Sequence, residues 1–289
     1  ILRNKCMENN QSPLKKYNRQ PKLYIDLPSK GQWYKSGALE KTEELEVYSM
    51  TANDEIATKT PDALITGNAI VKIIENCIPG IKDAWAITSR DLDYILASIR
   101  IASYGDTMNI SHTCIKCSNE DTFSIPLQTL LDHLQSAQPI YEIKIRDFAF
   151  RLRPLMYKEI IANQLSSMKV RRQLYQISAS DETTDTDEIN KRTDAMNLLY
   201  EDITQQTKDI ICSIVTEIVT PEGESETNPI FIKDFILNNE SEFYNIVQTS
   251  FADNNLKLTA PANEVKCSEC EETAKVTPSL DYSSFFSRG

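Results

Sequence analysis

Four cysteines stand in two pairs, Cys114 with Cys117 and Cys267 with Cys270, and each pair encloses two residues. A tight turn places two thiolates with this spacing on its inner side, where both can bind one metal ion. Together the pairs supply the four sulfur ligands of a Zn²⁺ site. Because four thiolates leave no open coordination position, the site is predicted to be structural and not catalytic.

The separation of the two pairs predicts a topology. Residues 118–266 lie between them. If both pairs bind one ion, the chain begins a small zinc-ribbon-like subdomain, leaves it, and returns to complete it. We therefore expect the strands around residues 108–125 and 257–277 to lie side by side. In the chain-entropy model, closing a loop of this length stabilises the fold by about 4–5 kcal/mol.

Other interpretations of the cysteines remain open. They could be redox motifs, unrelated buried residues, or a nucleophile, although a redox Cys-x-x-Cys opens a helix that follows a strand and neither pair is predicted to do so. His112 is a competing ligand two residues before Cys114. Zinc ribbons often carry glycine after the second cysteine of a pair. Ser118 and Glu271 occupy these positions, so a less regular turn is expected.

The charge of the chain limits its partners. The net charge is -11 over 289 residues, and so acidic a chain is a poor non-specific ligand for nucleic acid. A nucleic-acid-binding zinc-ribbon protein is the alternative function, but Lys116 and Lys266 near the cysteines are outnumbered by acidic residues. These acidic residues are Glu120, Asp121, Glu264, Glu269, Glu271 and Glu272. No apolar run approaches the roughly 18 residues of a membrane span, and no signal peptide is expected at the N-terminus.

The N-terminal region differs from the rest in charge. Residues 1–41 contain many more lysines and arginines than acidic residues. We predict that residues 1–22 form an extended basic arm that becomes ordered when it docks onto an acidic surface. An ordinary solvated tail is the alternative.

The patterns along the chain predict a predominantly helical α+β fold. An N-terminal α+β region is expected over residues 23–107. The zinc-ribbon-like subdomain is assigned to residues 108–126 together with 256–280. Residues 127–255 form a helical region, which includes a long helical hairpin at about 155–219.

Helix and strand signals support this division. Apolar residues at helical spacing predict a helix between Gly67 and Pro79. A second helix begins at Thr88, where Thr88 and Asp91 resemble a capping box. Alternating polar and apolar residues predict a β-hairpin over residues 140–152.

The predicted helical hairpin consists of two long segments, residues 155–178 and 186–219. An acidic, hydroxyl-rich connection over residues 178–185 joins them.

An enzyme is not expected. The chain has only two histidines and seven glycines, and it lacks the phosphate-binding, dinucleotide-binding and nucleophile-elbow motifs. No catalytic or cofactor-binding residues are assigned beyond the metal ligands.

Several segments together resemble a known family. They are Leu27-Pro28-Ser29-Lys30-Gly31 with Tyr34, Met50-Thr51-Ala52-Asn53-Asp54-Glu55, Asp91 with Ile99-Arg100-Ile101-Ala102-Ser103-Tyr104-Gly105, and Cys114-x2-Cys117. In this order and spacing, the chain resembles the base plate protein family of T4-like contractile-tailed bacteriophages, the baseplate hub subunits. The resemblance covers residues 23–130 and extends to the C-terminal cysteine pair. The first pair departs from the family's Cys-Pro-x-Cys-Gly pattern at Ile115 and Ser118.

The resemblance implies a virion component that is made in the host bacterial cytoplasm and built into the tail baseplate. Its partners would be other phage baseplate and tail proteins in a multi-subunit complex, and it would act through protein-protein contacts, without catalysis. It also suggests a structural ion pair between Asp91 and Arg100. The alternative is that both residues are surface charges.

Overall fold

The computed structural model describes residues 14, 17–178 and 186–278, of which about half are helical. The α-helices are α1 (Ala52–Ala57), α2 (Pro61–Ile65), α3 (Asn68–Cys77), α4 (Ser89–Tyr104), α5 (Gln128–Ser136), α6 (Tyr157–Ser178), α7 (Thr186–Ser213), α8 (Pro229–Asn238) and α9 (Ser241–Leu258). The β-strands are β1 (Leu23–Ile25), β2 (Leu45–Val47), β3 (Thr107–Thr113), β4 (Glu120–Pro126), β5 (Glu142–Ile145), β6 (Phe148–Leu152), β7 (Val215–Val219), β8 (Ser225–Glu226), β9 (Asn263–Lys266) and β10 (Thr273–Val276). The fold therefore mixes helices and strands, as the sequence predicts.

The strands within the described residues form four antiparallel sheets. Three are pairs, namely β1 with β2, β3 with β4, and β9 with β10. The fourth has the order β5-β6-β7-β8. The long segment between the two cysteine-bearing hairpins thus builds a sheet of its own before the chain returns.

The first hydrophobic cluster lies around α3 and α4. Ile70, Ile73, Ile74 and Cys77 recur at helical spacing on one face of α3, and all four are buried. Gly67 precedes the helix at φ 76°, a backbone conformation that favours glycine. Residues of α4, α5, α6 and the β1-β2 pair also belong to the cluster. The cluster is the scaffold from which β3 extends.

The start of α4 differs from the predicted capping box. Thr88 is the N-cap residue, as expected, but its side chain makes no capping hydrogen bond. The Asp91 carboxylate instead accepts hydrogen bonds from the Ser29 backbone N–H and the Tyr34 hydroxyl, both at 2.8 Å. The helix begins where predicted, and its acidic residue fixes a distant loop.

Asp91 and Arg100 are not surface charges, because they are only 0% and 4% exposed. Burial raises the pKa of Asp91, although hydrogen bonds from Ser29 and Tyr34 oppose this change. Arg100 lies with its guanidinium 5.4 Å from the ring centre of Tyr104. Among the described residues, the contacts of Asp91 do not include Arg100, so both charges are structural but the suggested ion pair is not formed.

The second hydrophobic cluster packs α8 and α9 against the four-stranded sheet. The predicted hairpin over residues 140–152 is present as β5 and β6. The helix expected to continue to residue 219 ends at Ser213, and the chain continues as β7, which pairs with β6. The run Val215–Val219 is rich in β-branched residues, which favour a strand. This part of the prediction was wrong.

Helices α6 and α7 pack against each other as the predicted long hairpin. The acidic connection at residues 179–185 lies outside the described residues. Helix α9 continues to Leu258, so residues 256–258 are helical and do not form the strand that was expected to lead into the second cysteine pair. None of the described helices has the length and hydropathy that a membrane span requires.

Most of the predicted basic arm, residues 1–13 with 15 and 16, lies outside the described residues. The end of the arm contacts the first cluster. The Arg19 guanidinium donates a 2.8 Å hydrogen bond to the Asn76 side chain. The Lys22 N–H donates to the Val47 carbonyl at 2.8 Å. Residues 19–22 are therefore attached to the fold.

Candidate metal centre

The two cysteine pairs occupy the turns of two β-hairpins. The first turn joins β3 to β4, and the second joins β9 to β10. Between the hairpins lies a third hydrophobic cluster, whose buried members are Ile125, Val265 and Val276. The strands expected to lie together around the cysteines are therefore in contact, as two separate hairpins.

The two turns have the same backbone hydrogen bonds. In the first, Cys114 N–H donates to Asn119 O at 2.8 Å and Ser118 N–H donates to Cys114 O at 2.9 Å. In the second, Cys267 N–H donates to Glu272 O at 2.9 Å, and the residue after the second cysteine donates back to Cys267 O at 3.0 Å. Each chain reversal therefore holds its two cysteines in an equivalent position.

The residue after each pair adopts a left-handed backbone conformation. Ser118 has φ 59° and Glu271 has φ 57°. Glycine takes this conformation without strain, whereas other residues incur a cost. We expected irregular turns because glycine is missing here. The turns are instead alike, and two non-glycine residues accept the strained conformation.

The four thiols converge on one point. Cys114 Sγ lies 3.6 Å from Cys270 Sγ, and Cys117 Sγ lies 3.5 Å from Cys267 Sγ. All four sulfurs lie within 4.8 Å of one another. A disulfide needs about 2.05 Å, whereas tetrahedral Zn²⁺ with Zn–S bonds of about 2.3 Å places its sulfurs ~3.8 Å apart. The four cysteines could therefore bind a metal ion.

The pKa values of two thiols in the cluster are shifted in opposite directions. Backbone N–H groups of Cys117 and Lys116 lower the pKa of the Cys114 thiol to about 7. The Asn119 N–H lowers the pKa of Cys117, but hydrogen bonds to the other thiols and desolvation outweigh it and raise the value to about 12. In general, closely spaced thiolates destabilise one another, because each added negative charge repels the others. A bound metal cation removes this repulsion.

Polar side chains connect the two hairpins next to the sulfurs. The Asp121 carboxylate accepts hydrogen bonds from the backbone N–H and the hydroxyl of Ser268, at 2.9 and 2.6 Å. The Asn119 side-chain amide donates to Asp121 at 3.0 Å and to Ser268 at 3.1 Å. The Ser268 hydroxyl is the main cause of the lowered pKa of Asp121. Sequence reasoning counted Asp121 as an ordinary acidic residue, and its contact could not be read from local spacing.

His112 is not part of the group of potential ligands found among the described residues. It lies opposite Asp121 in the β3-β4 register. Its Nε2 is buried and has no hydrogen-bond partner in the described part of the chain. The cysteines alone make up the candidate ligand set.

The surroundings of the cysteines are acidic. Lys116, one of the two lysines near the pairs, forms an ion pair with Glu272 at 3.0 Å. Glu269 and Glu271 are exposed. This surface therefore offers little positive charge to a nucleic-acid backbone.

Comparison with known proteins identifies the family. No curated protein and no solved structure matches the chain. The family model described as "T4 bacteriophage base plate protein" matches residues 20–287, a range that includes both cysteine pairs. The chain therefore belongs to the T4 bacteriophage base plate protein family.

Proposed function

We propose that the protein is a hub subunit of a contractile phage tail baseplate and acts through contacts with other baseplate and tail proteins. The observation that carries this proposal is the family match over residues 20–287. Membership in a family of baseplate components suggests a structural, non-enzymatic role in the virion tail. Synthesis and assembly in the host cytoplasm belong to the same proposal.

Within this role, Cys114, Cys117, Cys267 and Cys270 bind one structural Zn²⁺. The convergence of their sulfurs within 4.8 Å supports this assignment. With four thiolate ligands the ion has no free coordination position, so it supplies a cross-link and not a reaction centre. The hairpin turns would then act as the two knuckles of a zinc ribbon and fix both ends of the segment between them.

Different regions of the chain are proposed to have different roles. Residues 23–107 and 127–255 form the bulk of the building block, and residues 108–126 with 256–280 are the region that the metal locks. Residues 1–22, the proposed basic arm, contact a neighbouring subunit. The hydrogen bond from Arg19 to Asn76 supports a fixed point of attachment between this arm and the fold.

The test is complementation of a phage that lacks the chain. Wild-type protein should restore tails, and immunogold labelling should place it at the baseplate centre. A chain found only at the baseplate periphery would contradict the hub assignment, and one absent from tails would contradict the baseplate role.

Two variants test the mechanism. Deletion of residues 1–22 should reduce incorporation into baseplates while the isolated chain keeps its circular dichroism spectrum. The Cys267→Ser, Cys270→Ser double variant should lose the metal and assemble poorly. Cys212→Ala is the matched control, since Cys212 is a buried cysteine outside the metal group. Normal assembly of the truncation would reject the proposed role of the arm.

A further inference from the structure

A cavity of about 300 Å³ lies where three parts of the chain meet, and the four cysteines are not among the residues that line it. The start of α4 contributes Ser89 and Asp93, the end of α9 contributes Leu258 and Thr259, and the segment after β10 contributes Pro278. Its volume is at the lower end of the range for small-molecule sites, about 300–1,000 Å³. Neither the family match nor the proposed zinc site gives this cavity a role.

Asp93 lines this cavity, and no neighbouring group in the described part of the chain offsets the charge of its carboxylate there. Within the described residues, the structure gives Asp93 no hydrogen bond and no ion pair. Burial raises the pKa of Asp93 to about 6, and it is the one cause acting on this group. Asp93 is half-buried, and a carboxylate that loses part of its hydration is destabilised unless it is paired.

The nearby cations and other titratable groups are directed elsewhere. The Arg90 guanidinium donates to the carbonyls of Leu134 and Ala137. His133, on α5, contacts the Lys257 carbonyl at 3.0 Å through Nε2. Lys257 is in the last turn of α9 but is not among the residues that line the cavity.

A second feature of the cavity also favours positive charge. The 18-residue helix α9 ends at the cavity wall. The last carbonyl groups of a helix carry partial negative charge. Thr259 satisfies two of these carbonyls, because its N–H donates to Leu256 O at 3.1 Å and its hydroxyl donates to Asn255 O at 3.1 Å. The carboxylate and the negative end of α9 therefore meet at the same space.

We infer that this cavity, lined by Asp93 and the end of α9, binds an organic cation, namely an alkylammonium or guanidinium group. One carboxylate and a few neutral oxygens are too few for Ca²⁺, which takes 6–8 oxygen ligands. The apolar walls from Leu258, Ala260 and Pro278 suit the carbon stem of such a group. The group belongs to a lysine or arginine of a neighbouring subunit, a source that rests on the proposed function. This inference does not depend on the zinc assignment.

The test is a titration of the full-length protein, as purified, with methylguanidinium chloride, and sodium chloride at equal ionic strength serves as the reference. Carboxyl ¹³C NMR of aspartate-labelled protein reports the Asp93 pKa directly. We expect saturating methylguanidinium to lower this pKa by about one unit or more, which corresponds to tenfold tighter binding to the ionised form. Sodium chloride should leave it unchanged. An identical response to both salts would overturn the inference.

Matched variants locate the binding. Asp93→Asn keeps the shape of the side chain and removes its charge, so methylguanidinium binding should weaken at least about tenfold. Asp132→Asn is the control, since Asp132 is exposed on the neighbouring α5. Equal binding by the Asp93 variant and wild type would also reject the site. The pKa titration needs no variant, so the inference stays testable if Asp93→Asn fails to fold.

The same experiment tests the source of the cation. If a neighbouring subunit supplies it, Asp93 in the isolated chain has a pKa near 6 and responds to methylguanidinium. An Asp93 pKa that does not respond to methylguanidinium would contradict the cation site.

Discussion

The cluster around α3 and α4 and the cluster between the cysteine hairpins are held together by different means. The first contains twenty-five buried residues from helices and strands. The latter, the third cluster, contains three among the described residues, namely Ile125, Val265 and Val276. A large buried aliphatic side chain contributes about 1.5–3 kcal/mol, while fixing the backbone of each residue costs about 1–2 kcal/mol. Apolar burial can therefore account for the first cluster but not for the third cluster, which needs a cross-link.

Metal removal should have the largest effect and should affect only one of the two regions. Structural Zn²⁺ in small domains has an apparent binding free energy of about 10–16 kcal/mol. After chelation, four additional thiols should react with an alkylating agent. Cys77 in the first cluster and Cys212 in the second cluster should stay protected, because both are buried in large apolar clusters. Mass spectrometry of the alkylated peptides measures this.

The comparison fails if Cys77 becomes reactive at the same rate as the four clustered cysteines, because the first cluster would then also depend on the metal. Rapid alkylation of Cys114 before chelation would instead favour a reactive thiol.

A core truncation should have the next largest effect, in the opposite region. Ile73 is fully buried, so Ile73→Ala should lower the free energy of unfolding by about 2–5 kcal/mol through lost burial and a cavity. Guanidinium denaturation with zinc present measures the change. Ile56→Ala is the control, because Ile56 is 62% exposed and should change stability by less than about 0.5 kcal/mol. Equal losses for both variants would mean that this core is not tightly packed.

Asp93 lies between the two regions and should give a pH-dependent effect. Its pKa is about 6 in the folded protein and near 3.8 when exposed. The folded state thus binds more protons between these values, so the Asp93 contribution to stability is present below pH 4 and is lost as pH rises to 6. Asp93→Asn should therefore stabilise the protein at pH 7 by about 1–3 kcal/mol and match wild type near pH 4.

Denaturation curves across this pH range, with Asp132→Asn as the control, measure the difference. A constant difference between the Asp93 variant and wild type at all pH values would exclude titration of the half-buried Asp93.

The smallest expected effect concerns the strained turns. Ser118→Gly removes the cost of a left-handed backbone at a non-glycine residue and should strengthen metal retention by up to about 1 kcal/mol. Competition with a chromogenic chelator measures it. Ser111→Gly, within β3, is the control and should weaken the hairpin slightly. A weaker metal site in Ser118→Gly would show that the Ser118 side chain contributes more than its strain costs.

Local patterns predicted some elements well. The cysteine spacing indicated the four-sulfur cluster, because two residues between ligands determine a turn. The periodicity of Ile70, Ile73 and Ile74 indicated the buried face of α3, because one face of one helix packs against the core.

Other features depend on residues distant in sequence. From the sequence alone, Val215–Val219 could continue the preceding helix. In the fold these residues form a strand because β6 offers an edge with which they pair. Asp91 has the spacing of a capping residue, and only the fold shows that its carboxylate accepts hydrogen bonds from Ser29 and Tyr34. The Asp121 contact with Ser268 and the cavity at Asp93 join segments far apart in the chain, and no local spacing encodes them.

The central claim is that a metal bound by four cysteines holds together a region that apolar burial cannot. Elemental analysis of the purified protein, handled without chelators, tests it most directly. The account predicts about one equivalent of zinc per chain, which the Cys267→Ser, Cys270→Ser variant should lose. Less than about half an equivalent in a folded wild-type protein would contradict it.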